Sequence, residues 1–396
     1  MTLPPSPSKI VPQLIDQEEN EIVKPCRGGG AIVLFDKTKV LSPEQTSQTA
    51  HDLALKHGLT VKRVFKCCRR GFSIKGVVPD DIVEHLKQED SVKSVEVDIE
   101  FRASSVTSPS HSWSLRRLGL DPNQIQTENV DAHVIVLDTG VQHDHPLLNV
   151  VEMLSFIDDE PDPADFNGHG TMSAGCATGT APGVKIHSYK VLDKDGGGCL
   201  SDVMSGIERA VEFKQESGEE KIVLNLSLGA FVGRTSYIAL DEELYDAVVD
   251  HGMTAVVAAG NSSKDTMLYS PGHVKEAITV GAYDERDNFS SFSNYGRDVD
   301  ILAPGTDIPT TTIHSGSTRT SGTSFAAPFV AGLAASHIWK TKLQGNPCPK
   351  PESVREHLIE TAKEAVRLGK NDTIKGVPTF PVTTSLSAHT EIPQEE

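Results

Sequence analysis

Residues 134–140 read Val-Ile-Val-Leu-Asp-Thr-Gly. An unbroken apolar run of this kind is a strand buried on both faces. The pattern recurs downstream, with strands expected at Lys185–Val191, Ile222–Leu226, Thr254–Ala258 and Ala277–Val280. Between them, His169–Thr178, Asp202–Phe213 and Asp241–His251 read as helices. Apolar strands separated by amphipathic helices predict an α/β fold whose mostly parallel central sheet is covered on both faces. In such sheets functional groups collect just past the carboxyl ends of strands, which makes Asp138 the first candidate site residue.

Upstream, residues 104–112, Ser-Ser-Val-Thr-Ser-Pro-Ser-His-Ser, have the composition of a linker. Ahead of it, Ala31–Phe35 reads as a strand, and Ser42 with Glu44 opens a helix reaching His57. Strands follow at Leu59–Phe65 and Gly71–Val77, then a helix from Pro79 to Leu86 and a strand at Val92–Val97. This β-α-β-β-α-β order is ferredoxin-like. With no metal-ligand spacing and no paired carboxylates, it reads as a regulatory or chaperoning module. The expected organisation is a flexible leader over 1–29, the ferredoxin-like α+β module over 30–105, the α/β domain over 106–370 and an extension over 371–396.

Charge marks the same boundary. Of 396 residues with a net charge of −18, residues 1–105 hold 15 basic and 15 acidic side chains and the remainder 22 and 40. So acidic a surface repels phosphate backbones and argues against nucleic acid, while leaving calcium or basic peptides open. No apolar run approaches the ~18 residues of a membrane span. The first thirty residues carry Pro, acids and Gly where a signal peptide needs an apolar run. The six cysteines form no Cys-x-x-Cys pair and fall three on each side of the boundary. Unpaired thiols without a signal peptide predict a reducing, intracellular location.

Asp138 taken alone supports three readings: a ribose-binding acid, half of an aspartic-protease pair, or the orienter of a histidine. The first lacks a Gly-x-Gly-x-x-Gly beside it, and the second needs two carboxylates where the chain has one Asp-Thr-Gly. His169 sits in Asn-Gly-His-Gly-Thr, its ring left unobstructed by glycines at a helix start. Ser324 sits in Ser-Gly-Thr-Ser-Phe-Ala-Ala-Pro ahead of a small-residue helix that admits another backbone, with the helix dipole favouring an anion beside it. Asn261 ends the strand Ala258-Ala259-Gly260 and offers an amide donor. The order Asp, His, Ser, at separations of 31 and 155 residues with Asn between the last two, is that of subtilisin.

At this point the chain resembles the subtilisin-like serine proteases (subtilases), and among them the proteinase K-like branch. The resemblance rests on Val-Leu-Asp138-Thr-Gly-Val, His145-Pro146-Leu147, Asn167-Gly-His169-Gly-Thr171, Asn225-Leu-Ser-Leu-Gly229, Ala258-Ala-Gly-Asn261, Ser291-Phe-Ser-Asn-Tyr-Gly296, Ala303-Pro-Gly-Thr306 and Ser321-Gly-Thr-Ser324-Phe-Ala-Ala-Pro328. These span residues 113–345, and residues 31–103 likewise resemble the I9-type inhibitory propeptide of that branch.

The resemblance implies a three-layer subtilisin-like fold and a serine endopeptidase. Ser324 is then the nucleophile, His169 the general base, Asp138 its orienter, and Asn261 with the Ser324 N–H the oxyanion donors. Substrate would pair with Gly197-Gly198-Cys199 and with Ser227-Leu228-Gly229, while Leu200 and the Ala258-Ala259-Gly260 wall give apolar pockets and a loose apolar preference. A structural calcium ion is implied on the carbonyls of Lys275 and Ala277 and the carboxylate of Asp300, with Lys275 standing where the family usually has proline. The expected partners are peptide substrates and the chain's own propeptide, with no nucleic acid or membrane, in a monomeric enzyme. Residues 97–105 should lie product-like in the cleft, with self-cleavage between Ala103 and Val106. Met172 and Phe325 depart from the usual residues without touching the proton path. The competing reading is a catalytically silent scaffold of the same fold. A nucleotide site built on Asp195-Gly196-Gly197-Gly198 lacks Gly-Lys-[Ser/Thr]. The tripeptides at Asn225, Asn261, Asn288 and Asn371 fit the glycosylation pattern, but two of them lie in the active-site framework.

Overall fold

The computed structural model describes residues 23–103, 106–107, 113–118, 129–234, 238–364 and 381–382. Residues 1–22 of the expected leader, Ser104–Ser105 and residues 108–112 of the linker, and the C-terminal extension apart from Pro381–Val382 lie outside the described residues.

The first module contains β1 (Gly30–Phe35), α1 (Pro43–His57), β2 (Val61–Phe65), β3 (Gly71–Lys75), α2 (Asp80–Lys87) and β4 (Val92–Val97), in the β-α-β-β-α-β order the sequence predicts. Its antiparallel sheet runs β2-β3-β1-β4. The Ser42 hydroxyl caps α1 by accepting from the Gln45 N–H, and Gly58, at φ 66°, ends it in the left-handed region. Side chains alternate faces along a strand. Ala31, Val33 and Phe35 therefore pack with Leu53 and Leu86 of the two helices, while Ile32 and Leu34 pack with Met204 and Leu244 of the second module. β1 is apolar throughout because both of its faces are covered.

Then come β5 (Glu100–Ala103), β6 (Val106–Thr107) and α3 (Trp113–Arg117). The second module begins β7 (His133–Asp138), β8 (Asn149–Ser155), α4 (His169–Thr180), β9 (Lys185–Lys190), β10 (Gly197–Cys199) and α5 (Leu200–Ser217). It continues β11 (Ile222–Leu226), β12 (Leu228–Phe231), α6 (Ala239–Val249), β13 (Thr254–Ala258), β14 (Tyr269–Ser270), β15 (Ile278–Tyr283) and β16 (Ile301–Pro304). It ends β17 (Ile308–Thr312), β18 (Gly316–Ser321), α7 (Thr323–Leu343), α8 (Pro351–Glu360), β19 (Lys363–Glu364) and β20 (Pro381–Val382).

The central sheet runs β19-β20-β16-β15-β13-β11-β7-β9-β8, parallel except at the short β19–β20 pair. The alternation rule recurs in β7: Val134 and Val136 face α4 and α7, while Ile135 and Leu137 face α5. This is the three-layer α/β arrangement expected.

Opposite charges line the seam between the modules. Lys37 meets Asp246 at 2.7 Å, Lys62 meets Asp202 at 2.9 Å, Arg63 meets Asp158 at 2.7 Å, and Lys93 meets Glu242 at 2.9 Å. The neutral module thus turns a basic face to the acidic one. Two of its carboxylates also cap helices of the second module, where N–H groups lack intrahelical partners. Glu96 accepts from the Ala239 N–H at 2.8 Å, and Asp98 accepts from Ser201 N at 3.0 Å and Ser201 Oγ at 2.6 Å.

Two expectations need correction here. Residues 23–29 are not a loose leader: Val23 is buried, Glu100 N donates to Lys24 O at 2.9 Å, and Cys26 N donates to Asp98 O at 2.7 Å. Nor are all thiols unpaired, because Cys26 and Cys199 form a disulfide across 173 residues. Spacing could not reveal the pair, since the chain brings its two ends together only when the modules dock. Cys67, Cys68, Cys176 and Cys348 are free.

Candidate active site

Asp138 ends β7 fully buried, which obliges each carboxylate oxygen to find donors. Oδ1 accepts from His169 Nδ1 at 2.7 Å and from Thr139 N at 2.7 Å, and Oδ2 accepts from Ser173 Oγ at 3.1 Å. With Nδ1 donating, Nε2 of the neutral imidazole is the basic nitrogen. His169 opens α4, and the preceding loop is fixed by Asp165. Its carboxylate accepts from Thr139 Oγ1 (2.9 Å), Gly168 N (2.7 Å), Thr171 N (2.9 Å) and Thr171 Oγ1 (2.6 Å). The flanking Gly170 is a steric requirement, because a Cβ there would lie 2.0 Å from the Gly140 carbonyl.

Ser324 lies in the first turn of α7, two residues after Gly322 at φ 151°. Its carbonyl would ordinarily accept from the residue four positions on, but that residue is Pro328, which has no N–H. The Ser227 hydroxyl donates to it instead at 2.7 Å, and Asn225 Nδ2 donates to the same hydroxyl at 2.9 Å. Phe325 packs against the His169 ring, with centroids 5.0 Å apart. Asn261 Oδ1 accepts from Thr323 N and Thr323 Oγ1, both at 2.9 Å. Its acceptor end is thereby committed to α7, which turns the donor end of the amide away from that helix. Ser324 and Asn261 line a common cavity of about 370 Å³ with Ala258, Ala259, Gly260 and Gly229.

The subtilase family (peptidase S8) matches residues 131–378. The chain belongs to that family. It is 37% identical over 317 residues to an extracellular serine proteinase of Thermus sp. (strain Rt41A), covering 76% of this chain and 73% of that one. It is 32% identical over 353 residues to a cuticle-degrading protease of Metarhizium anisopliae, covering 85% and 87%. A crystal structure of a cold adapted subtilisin-like serine proteinase superposes with a TM-score of 0.59 at 33% identity, over 70% of this chain and all of that one. This subtilase is a serine endopeptidase with the subtilisin-like α/β fold. The intracellular expectation is overturned: the Thermus relative is an extracellular serine proteinase by name, and the premise of unpaired cysteines fails at Cys26–Cys199.

The two segments predicted to pair with substrate flank one strand of the subtilase's own chain. β5 runs antiparallel to both: Arg102 stands opposite Gly197 and Gly229, Phe101 opposite Gly198, and Ala103 opposite Leu228. Ala103 N also donates to Gly196 O at 2.9 Å. The Phe101 ring is fully buried in the cluster that holds Leu200 and Leu228, and Cys199 is crosslinked as described. Ser227, expected only as a backbone contact, instead directs its side chain at Ser324.

The expected calcium donors are met by a cation the chain supplies. Arg355, from α8, donates through Nη1 to Lys275 O at 2.8 Å and through Nη2 to Asp300 Oδ1. Asp300 Oδ2 accepts from Thr279 N at 2.8 Å, while Ala277 is fully buried with its N–H bonded to Val274 O. With a guanidinium on two of the three donors, this set does not fit a calcium ion as predicted. Burial nevertheless pushes the Asp300 carboxyl up to about 6, even beside Arg355.

The sequence reading missed Asp165, Ser173, Ser227 as a side-chain donor, Thr323 and Arg355. For Asp165 a signal existed in Asp-Phe-Asn-Gly-His, an acid placed to bond the N–H groups of the turn after it. Arg355 is remote in sequence from its partners and gave none.

Proposed function

We propose that this subtilase is a self-processing zymogen of the proteinase K-like branch, in which residues 30–105 are an I9-type inhibitory propeptide. Asp138, His169 and Ser324 cleave peptide bonds through an acyl-enzyme. The observation that carries the reading is β5, which lies as the middle strand between β10 and β12 and leads toward the Ser324 cavity. Paired main-chain bonds with alternating side-chain pockets are how an extended peptide is held by strand addition. β6 supports the same reading, since Val106 pairs with Ser321, three residues before Ser324. β5 and β6 bracket the expected scissile region.

In the reaction, His169 Nε2 takes the Ser324 Oγ proton as Oγ attacks the substrate carbonyl, then returns it to the leaving amine. Asp138 holds Nδ1–H and stabilises the imidazolium. Asn261 Nδ2 and the Ser324 N–H receive the oxyanion, each such donor being worth about 2.7–4 kcal/mol of transition-state stabilisation. Ser227 and Asn225 hold the Ser324 main chain in place. Leu228 and the 258–260 wall favour apolar side chains next to the cleaved bond, and an acidic surface favours neutral or basic substrates. The Thermus relative named as extracellular supports export, and the protein works as a monomer.

Intact mass after reduction, compared with that of Ser324→Ala expressed identically, tests this. The wild type is expected to separate near residue 104 while the variant stays whole. If both stay whole the silent-scaffold reading gains, and if both are trimmed alike a foreign protease cut an exposed linker.

A further inference from the structure

Hydrolysis between Ala103 and Val106 breaks one covalent connection between the two modules, yet the structure contains a second. Cys26 belongs to the segment just ahead of β1, and Cys199 ends β10, one of the two strands flanking β5. Their disulfide joins the N-terminal module to the wall of the cleft. The surroundings hold both sulfurs in register: Cys26 N donates to Asp98 O at 2.7 Å, Pro25 bridges Ile99, and Leu200 N donates to Ile99 O at 2.9 Å. Any fragment ending near residue 103 therefore carries Cys26 with it.

We infer that the Cys26–Cys199 disulfide is a redox-labile tether that keeps the cleaved N-terminal module on the active cleft, so that release of activity takes thiol–disulfide exchange by a dithiol after the backbone is cut. This rests on the propeptide reading above. Cys26 is buried and Cys199 only partly so, and both line a cavity of about 420 Å³ whose wall carries Arg27, Lys62, Lys75 and Lys194 among a larger number of carboxylates. That opening gives an attacking thiolate a solvent path to the pair.

The exchange balances. One thiolate of the dithiol attacks a sulfur of the pair, forming a mixed disulfide and expelling the other cysteine as a thiolate. The second thiol then closes on the first, leaving the reagent as an intramolecular disulfide. Cys26 and Cys199 each end as a protonated thiol. Peptide hydrolysis separately consumes one water.

Until exchange occurs, the cleaved module stays at an effective concentration of order mM, as short tethers give. Cutting the tether and diluting into the nanomolar range lowers its local concentration by several orders of magnitude. A further consequence is a thiol at Cys199 in the released enzyme, open to alkylation.

The test uses full-length protein matured under oxidising conditions and compares wild type, Cys26→Ser and Ser324→Ala. Mass spectrometry without reductant is expected to show wild type as both fragments joined, one water heavier than the precursor, resolving into two masses after dithiothreitol. Hydrolysis of a small chromogenic peptide amide should rise at least about tenfold when the diluted wild type is reduced. Cys26→Ser should show two masses and full activity without reductant. Wild type that separates without reductant, or whose rate ignores dithiothreitol although it is cut, overturns the tether alone. Wild type that stays whole after reduction overturns the propeptide reading, and the tether with it. Six alkylatable thiols rather than four in the denatured, unreduced precursor, with a bound zinc ion in native mass spectra, overturn the disulfide in favour of a metal held by Cys26, Cys199 and Asp98.

Discussion

Replacing Arg355 by Ala tests whether a side chain has taken over the work of an ion. The Asp300 side chain is 6% exposed and that of its partner Arg355 34%. Without Arg355, the carboxylate keeps one donor, Thr279 N, and the Lys275 carbonyl loses its cation. Removing one partner of a fully buried pair costs about 3–5 kcal/mol. Because Arg355 is one-third exposed, water screens part of the interaction, which lowers the expected loss to about 1–3 kcal/mol. In a domain of this size each kcal/mol moves Tm by roughly 2–4 °C, so Tm should fall by about 2–12 °C.

The pH dependence has a definite sign. The Asp300 carboxyl already stands near 6 against an ordinary 3.8, and loss of the guanidinium raises it further. A carboxyl raised in the folded state stabilises below its unfolded value and loses that contribution as pH rises through its folded value. The variant's deficit is therefore small at pH 5 and full at pH 8. The vacated oxygens suit a hard divalent cation, so calcium should recover Tm in the variant while leaving this site in the wild type unaffected. The assay is thermal unfolding in the Ser324→Ala background, which removes self-digestion, with calcium or with chelator. An identical calcium-dependent gain in Arg355→Ala and its parent, or an unchanged Tm in chelator at pH 8, would refute the reasoning.

Two further outcomes follow from the same geometry. Ser227→Ala leaves the Ser324 carbonyl without a donor, since Pro328 cannot supply one. The expected effect is a loss of about 1–3 kcal/mol, read as a fall in kcat with KM little changed, and an unaltered kcat would show that the hydroxyl only fills space. Glu208 accepts from the Cys67 N–H at 2.6 Å across the module seam, and its burial there, beside Glu212 and the raised Glu243, pushes its carboxyl up to about 7 from 4.5. The associated state thus binds a proton that the separated one, with Glu208 back in water, releases. Retention of the cut N-terminal module is then strongest below about pH 4.5 and weakens by about 1–3 kcal/mol as pH rises through 7. Co-elution of the two fragments of Cys26→Ser at pH 5 and pH 8 checks this, and equal or greater retention at pH 8 contradicts it.

The alternation in β1 and β7 shows how much of this fold is local. A strand apolar on every residue has to be covered on both sides, and that requirement sets the layers before any contact is known. The turn residues did the same for the site. Glycine at 140 and 170, an acid ending β7 and a serine between Gly-Thr and a small-residue helix are short-range facts, and they picked out Asp138, His169, Asn261 and Ser324 as the candidates. Strand ends moved by one to three residues, as from the expected 134 to the observed start of β7 at His133 and from the expected Val280 to the observed end of β15 at Tyr283.

Contacts between residues distant in sequence were decided only by tertiary structure. Asp98 on Ser201, Glu208 on Cys67 and Cys26 on Cys199 join the two modules across 103, 141 and 173 residues. Arg355 reaches Asp300 from a helix 55 residues further on. No spacing rule predicts such pairs, because each depends on where a whole element comes to rest once both faces of the sheet are buried. The intracellular location and the calcium set failed for that reason. The first rested on thiols read as unpaired behind a leader without an apolar run and the second on positions carried over from the resemblance, whereas a thiol's pairing and a carboxylate's counter-ion depend on what the folded chain sets against them. The sequence therefore determined the layers of this protein and the candidate residues of its site. Docking of the modules decided what is joined across them, because burial is a property of the sheet's whole surface and pairing a property of two points on it.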